Sequence, residues 1–561
     1  MRTTFTTAIV LLLAAVPSFA DVKLPAIVGD HMVLQRDAKV PIWGWADPGE
    51  AVTVTAGDVK DTATASADGK WSVALTGLNA SDHPIDIAIA GKNSITVHDV
   101  LVGDVWVCSG QSNMEFNLGG GKYGFGGALN SAQEVANANH PTMRLFIVTK
   151  TPAFEPQADC KGSWKVCDPD SAGPFSAVGY FFGRDIMENQ HVPVGLIGTY
   201  WGGTPAESWT SIEALKSVPE LDVYARSFES IQSNLPKLKQ AYEEQLAKWP
   251  AEVAAWKKQN ADYQTAQKKW ILDAAEAKTN GKPIPAKPPA PRAEPRRPVA
   301  PGTNGHLPSS LTNGMIAPII PYAIKGAIWY QGESNAGQSK LYQTLFPTMI
   351  TDWRKRWGEG DFPFLFVQLA SYMPRVANPT QTADGWPGLR EAQSMTLKLP
   401  NTGQAVTIDI GQGNDIHPKD KLDVGHRLAL AARHLAYGED VVFSGPTYDS
   451  MTIDGSKIKI KFKNVGTGLT IAAAPSTQPG VPPLAPGSEL KGFTIAGADH
   501  KFVWATATID GDSVIVSSPD VHDPQAVRYA WANNPEVNFY NKEGLPASPF
   551  RTDDWENPSA K

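Results

Sequence analysis

Cysteine is nearly absent: Cys108, Cys160 and Cys167 are the only three in 561 residues. A disulfide-dense scaffold is thereby excluded. No grouping of cysteine and histidine has metal-ligand spacing, so no metal site is expected. Positive charge is not in excess either, because 50 Lys and Arg stand against 57 Asp and Glu, a formal net charge of -7. The one Arg-containing stretch, near Arg296, is too short for a phosphate-binding stripe, which argues against a nucleic-acid partner. Past the N-terminus no apolar run reaches the roughly 20 residues of a spanning helix, so stable membrane insertion is not expected. What remains is globular, with 42% hydrophobic and 19% charged residues. The chain exceeds the usual domain of about 100–200 residues, so two or three domains are expected.

Residues 1–20 join Arg2, an apolar run from Ala8 to Val16, and small residues at Ser18 and Ala20. The pattern predicts an export signal cleaved after Ala20 and a periplasmic or extracellular mature protein. In such a compartment Cys160 and Cys167, which bracket a short segment, are the candidate disulfide, leaving Cys108 as a buried thiol in the strand VWVC. Residues 21–102 alternate apolar and polar in short runs such as VPIWGW and KWSVAL, predicting a sandwich-like β domain. From 103 to 440 apolar strands alternate with helical stretches, the pattern of an α/β domain with a parallel sheet. That domain is interrupted at 211–303, where Tyr242, Trp249, Trp256, Tyr263 and Trp270 recur every seven residues. The interval predicts a long helix or helical hairpin whose aromatic face either packs on the parent domain or offers a platform for sugar rings. Eight prolines between Pro283 and Pro301 then predict a stiff extended return. Residues 441–561 return to β alternation and form a C-terminal β module.

The chemistry begins at Val105-Trp-Val-Cys-Ser-Gly-Gln-Ser112, a buried strand that presents a serine at a strand-to-helix turn. A serine there is exposed at the carboxyl edge of a parallel sheet, though it also suits a helix cap. A serine nucleophile needs a base. His417, in Asp409-Ile-Gly-Gln-Gly-Asn-Asp415-Ile-His417-Pro, lies in a loop leaving a buried strand, and Asp415 is the nearest carboxylate to orient it. Oxyanion donors are sought in Trp201-Gly-Gly203-Thr, where glycine lets the backbone approach a ligand, and in Trp329-Tyr330-Gln331-Gly-Glu333-Ser-Asn335, which carries amide side chains. Trp201, Trp209, Tyr330 and Trp386 lie in or near these loops and are candidates, with Glu333, for substrate contact, core packing being the alternative for each aromatic.

Taken together and in order, Gly-Gln-Ser112-Asn-Met, Trp-Gly-Gly203-Thr, Trp-Tyr-Gln331-Gly-Glu-Ser-Asn335 and Asp415-Ile-His417-Pro resemble the sialate O-acetylesterase family. This is a branch of the SGNH hydrolases that includes bacterial acetylesterases acting on plant hemicellulose. The resemblance extends to the HMVLQR and DGKWSV stretches and to the segment from Val527 to Asp553, and covers nearly the whole mature chain apart from the helical insertion. It implies a flavodoxin-like three-layer SGNH domain, a serine esterase acting on an acetylated oligo- or polysaccharide, and no cofactor. It further implies Ser112 as nucleophile, an oxyanion hole from Ser112, Gly203 and an amide of Gln331 or Asn335, and His417 as base. The family's Asp-x-x-His pattern is not kept, since Asn414 stands three before His417. Asp415 is taken as the acid, with Asp409 and Glu333 as alternatives. Xyloglucan or xylan is the favoured substrate, because no arginine pair is placed for a sialate carboxylate. Sialate esters, a non-catalytic carbohydrate-binding protein and a glycoside hydrolase using Glu333 with an aspartate are the rival readings.

Overall fold

The computed structural model describes residues 21–380, 382–475 and 487–555, and the export signal expected at 1–20 lies outside them. Seven strands build the central sheet: β1 Ser94–Gly110, β2 His140–Ile147, β3 Trp164–Cys167, β4 Val194–Tyr200, β5 Gly326–Tyr330, β6 Phe364–Val367 and β7 Thr402–Ala405. They lie in the order β7-β6-β5-β1-β4-β2-β3. All neighbours are parallel except β2 and β3. The helices that matter below are α1 Ser112–Glu115, α2 Ala177–Gln190, α3 Leu235–Thr279, α4 Ser339–Trp357, α5 Gly385–Met395 and α6 Lys421–Leu435.

Both faces of the sheet are covered, which is why its strands read as unbroken apolar runs. In β5, Ala327 and Trp329 enter a core with Phe346 and Trp353 of α4 and Leu389 of α5. Ile328 and Tyr330 enter the opposite core with Phe181 and Phe182 of α2 and Leu428 of α6. Parallel order sends the loops after β1, β4, β5 and β7 to one edge, the place where ligands bind in such sheets.

The change of sequence character near Gly103 is not a linker. It falls inside β1, whose first half pairs with Ser81–Ala90 and Val33–Gln35 of the front β unit and whose second half pairs with β4 and β5. Asp104 marks the changeover. Its fully buried carboxylate takes a bidentate bond from Arg36 at 3.0 and 3.0 Å, one from Gln35 at 3.0 Å and one from the Tyr437 hydroxyl at 3.0 Å. One charge thus ties the front unit, the sheet and the end of α6 together.

The predicted disulfide is not formed: all three cysteines are free and buried. Cys160 packs in the core shared with Trp164, whereas Cys167, at the far end of β3, packs in the opposite core. With the two thiols committed to opposite faces of the sheet, no bridge joins them.

The insertion contains α3, 45 residues long, or about 67 Å at 1.5 Å per residue. Only Ala277 of it is buried. The aromatic stripe neither packs on the parent domain nor lies bare. The indole N–H groups of Trp249, Trp256 and Trp270 donate to the carbonyl oxygens of Pro295, Arg292 and Pro285 at 3.0, 2.7 and 2.7 Å. The descending numbers show the Pro-rich segment running back antiparallel along the stripe. An extended proline-rich chain has no internal hydrogen bonds, so its carbonyls are free to accept these donors.

The C-terminal module holds two four-stranded sheets and a two-stranded one around a core that also takes in Val406 and Ile408 from the end of the central sheet. Replacing Asp104 by Ala, which leaves Arg36 facing a buried gap, is expected to cost about 3 kcal/mol. Thermal unfolding checks this, and an unchanged midpoint would contradict it.

Candidate active site

β1 ends at Gly110 with φ +137°, and a Cβ there would lie 2.2 Å from the Tyr330 carbonyl oxygen. Glycine is therefore required for β1 and β5 to stay paired up to the edge. Two residues later Ser112 opens α1. From a loop 305 residues away in sequence, His417 brings Nε2 to 2.9 Å from Ser112 Oγ.

The Asp415 carboxylate accepts from the His417 backbone N–H at 2.9 Å and stands 3.7 Å from Nδ1. The two alternatives for the acid are engaged elsewhere. Asp409 is buried in a bidentate pair with Arg427 at 2.7 and 2.7 Å and accepts from Tyr540 at 3.2 Å, joining α6 to the C-terminal module. Glu333 accepts from the Asn113 amide at 2.5 Å.

The glycine loop after β4 lies directly against the serine. A Cβ added to Gly202 would stand 3.2 Å from Ser112 Cβ, and Gly203 follows with φ +78°. The Gly202 N–H is spent on Glu115 at 2.6 Å. The backbone N–H groups of Ser112 and Gly203 take no hydrogen-bond partner among the described residues.

The expected amide donors are not left free. Gln331 is fully buried, donating to Asn335 Oδ1 at 2.6 Å and the Thr204 carbonyl at 3.4 Å and accepting from Tyr342 at 2.9 Å. Asn335, equally enclosed, donates to Glu207 and accepts from the Ala206 N–H, both at 2.9 Å. Both brace the loop beneath the glycines.

Of the aromatic candidates, only Trp201 keeps partial exposure. Trp209 is core, packed edge-on against Trp329 at 6.0 Å with its N–H on Thr204. Tyr330 is fully buried, and Trp386 donates to the Ala370 carbonyl inside the protein. A strand-end aromatic in an α/β protein fills the core before it reaches the cleft.

Sequence reasoning missed Asn113, Lys421 and Phe125. The Asn113 amide donates to Glu333 and, at 3.0 Å, to the Ile416 carbonyl next to His417. Its oxygen accepts from the fully buried Lys421 ammonium at 2.5 Å. Lys421 stands 4.8 and 5.2 Å from the Phe116 and Tyr330 rings, an aromatic seat for a cation. A signal was present: Lys421 is the first residue of α6, the end where the helix dipole disfavours a cation. Phe125 is 45% exposed, with its ring 4.8 Å from that of His417.

A family model for carbohydrate esterases described as sialic acid-specific acetylesterases matches residues 311–434. The rat sialate O-acetylesterase is 30% identical over 580 residues, with 94% of each chain covered. The human one is 28% identical, covering 94% of this chain and 92% of its own. The crystal structure of a carbohydrate acetylesterase from Xanthomonas citri is 37% identical with TM-score 0.72, covering 95% of this chain and all of that one. The chain belongs to the sialate O-acetylesterase family. It is accordingly a carboxylic ester hydrolase of the carbohydrate esterase kind. Among the described residues of this esterase no cluster could hold a metal ion, and no helix is long and apolar enough to cross a membrane.

The electrostatics of the esterase site favour a neutral imidazole. Burial is the first cause that holds the His417 pKa below the ordinary value, the Lys421 charge the second, and Asp415 opposes both. Burial also pushes Lys421 down to about 7, against the pull of Glu333 and the nearby Asp420 and Asp415. Glu333 is pushed up, mainly by burial. A lowered His417 pKa keeps the unprotonated base present to more acidic pH, so the acid limb of kcat/KM is expected below the free-histidine value. Lys421→Met removes the cation and is expected to move that limb to higher pH. It also leaves Asn113 Oδ1 unpaired at a stability cost of about 1–3 kcal/mol. A pH–rate profile of the variant checks this, and a limb that stays put or moves down would contradict it.

Proposed function

We propose that this esterase is an SGNH-type serine hydrolase that removes O-acetyl groups from carbohydrate through an acetyl-Ser112 intermediate. The observation that carries the reading is the 2.9 Å contact between His417 Nε2 and Ser112 Oγ at the carboxyl edge of the sheet. In the first step Ser112 Oγ attacks the acetyl carbonyl and its proton passes to His417. Asp415 holds the resulting imidazolium. The oxyanion is received by the backbone N–H groups of Ser112 and Gly203, each such donor contributing about 2.7–4 kcal/mol. The sugar oxygen leaves with the proton from His417. Water then attacks the acetyl carbon with His417 again as base, the bond to Ser112 Oγ breaks as that oxygen takes the proton back from His417, and acetate departs.

An uncharged polymer, xyloglucan or xylan, is the favoured substrate. Lys150, 5.7 Å from the Trp201 ring, is neutralised by Glu115, which weakens the case for capture of a sialate carboxylate. The name of the rat relative keeps O-acetyl sialic acid as the second reading. Residues 1–20 support export after cleavage at Ala20, for which N-terminal sequencing of the mature protein is the check.

Acetate release from acetylated xyloglucan, acetylated xylan and O-acetyl sialic acid is expected to be fastest on a hemicellulose. Ser112→Ala is expected to lower kcat by a factor on the order of 10⁴ or more. A variant that retains activity refutes the serine mechanism, and preference for the sialic acid ester refutes the substrate assignment.

A further inference from the structure

Between α1 and the first residues leading to β2 runs Asn117-Leu-Gly-Gly-Gly-Lys-Tyr-Gly-Phe-Gly-Gly-Ala128, with six glycines between 119 and 127. Five of them, Gly120, Gly121, Gly124, Gly126 and Gly127, have φ between 54° and 140°. So many left-handed turns would leave the loop shapeless without a fixed centre, and Asn117 is that centre. Its backbone N–H donates to the Phe125 carbonyl at 3.0 Å and its carbonyl accepts from Gly127 at 2.9 Å. Its side chain donates to the Tyr123 carbonyl at 2.9 Å and accepts from Gly120 at 2.7 Å.

The two aromatics of the loop point to different fates. Tyr123 is wedged inward: a Cβ on Gly119 or Gly173 would meet its ring at 2.3 or 2.6 Å. Phe125 is turned outward. It packs edge-on against Phe116 at 5.4 Å and against the His417 ring at 4.8 Å, and is still 45% exposed. A lone exposed phenylalanine is ordinary on a surface, but this one is held beside the base by a hydrogen-bonded loop. It borders a cleft of about 340 Å³ that also takes in Tyr123, Glu115, Lys150 and Tyr200. Of the other lining residues, Glu115 accepts from the Gly202 N–H, and Lys150 reaches 5.7 Å from the Trp201 ring. The cleft is thus lined by Phe125, whose ring meets that of the base, and by Glu115, which holds the glycine loop, so it has an aromatic face and a charge-neutral acid–base pair.

We propose that this cleft is the subsite for the uncharged pyranose that carries the scissile acetyl group, with Phe125 as its stacking face. Glu115 and Lys150 provide the acceptor and donor for its ring hydroxyls. A pyranose is apolar on its C–H faces and polar around its edge, and needs both surfaces at once. The inference rests on the serine-esterase reading. It adds which residues choose the sugar.

The test compares kcat/KM for an acetylated xylo-oligosaccharide and for 4-nitrophenyl acetate, which has no sugar ring, in wild type, Phe125→Ala and Phe125→Trp. Loss of the stacking face is expected to lower the ratio of the sugar ester to the aryl ester about tenfold in Phe125→Ala, chiefly through KM. Phe125→Trp is expected to restore that ratio. Equal losses on both esters would mean that Phe125 only shields His417, and would overturn the subsite. An unchanged ratio, or wild-type turnover of the aryl ester alone, would overturn it as well. Failure of the wild type on both esters would instead remove the serine-esterase reading, and the subsite with it.

Discussion

Asn113, itself buried, must satisfy three partners at once, and the rest of the site is arranged around that demand. A primary amide has two hydrogens and one carbonyl oxygen, and here they go to Glu333, Ile416 and Lys421. Each partner belongs to a different part of the catalytic edge: the loop after β5, the histidine loop, and the start of α6. Because an unpaired polar group in such a place costs about 1–3 kcal/mol, any drift of one loop raises the energy of the others. The residue beside Ser112 therefore fixes the distance between hydroxyl and imidazole without touching either.

The same economy governs the donors. Gln331 and Asn335 hold the underside of the glycine loop, so that the backbone N–H groups proposed for the oxyanion, which carry no torsional freedom of their own, are left without partners among the described residues. A donor that is already in place has no reorganisation cost when charge appears. Side-chain amides serve this design as braces, with Tyr342 and Glu207 as their own supports.

The parallel sheet was legible because strands covered on both faces leave runs such as VWVC and FLFV that alternating strands do not. That Ser112, His417, Asp415 and the glycine loop meet at one edge was legible too, because each follows such a run. The disulfide was misread because residue spacing carries no information about which face of a sheet a thiol enters. Trp209, Tyr330 and Trp386, open to either sugar contact or core packing, turned out to be core: local sequence cannot separate an aromatic that fills the core under a loop from one that stands above it. The partner of the heptad tryptophans was hidden because the periodicity names a face but not what covers it. Asn113 and Lys421 were hidden because their role exists only where segments about 300 residues apart meet.

The unbroken course of β1 has a consequence for how such a protein can be built and altered. A front unit joined by a tether can be exchanged like a bead on a string, but here the seam is a strand interior with ladder bonds on both sides and the Asp104 charge at its midpoint. Cutting there strands backbone donors and acceptors in two cores together. Front unit and sheet thus stand or fall as one cooperative body, and inheritance of one without the other would demand a new edge for each.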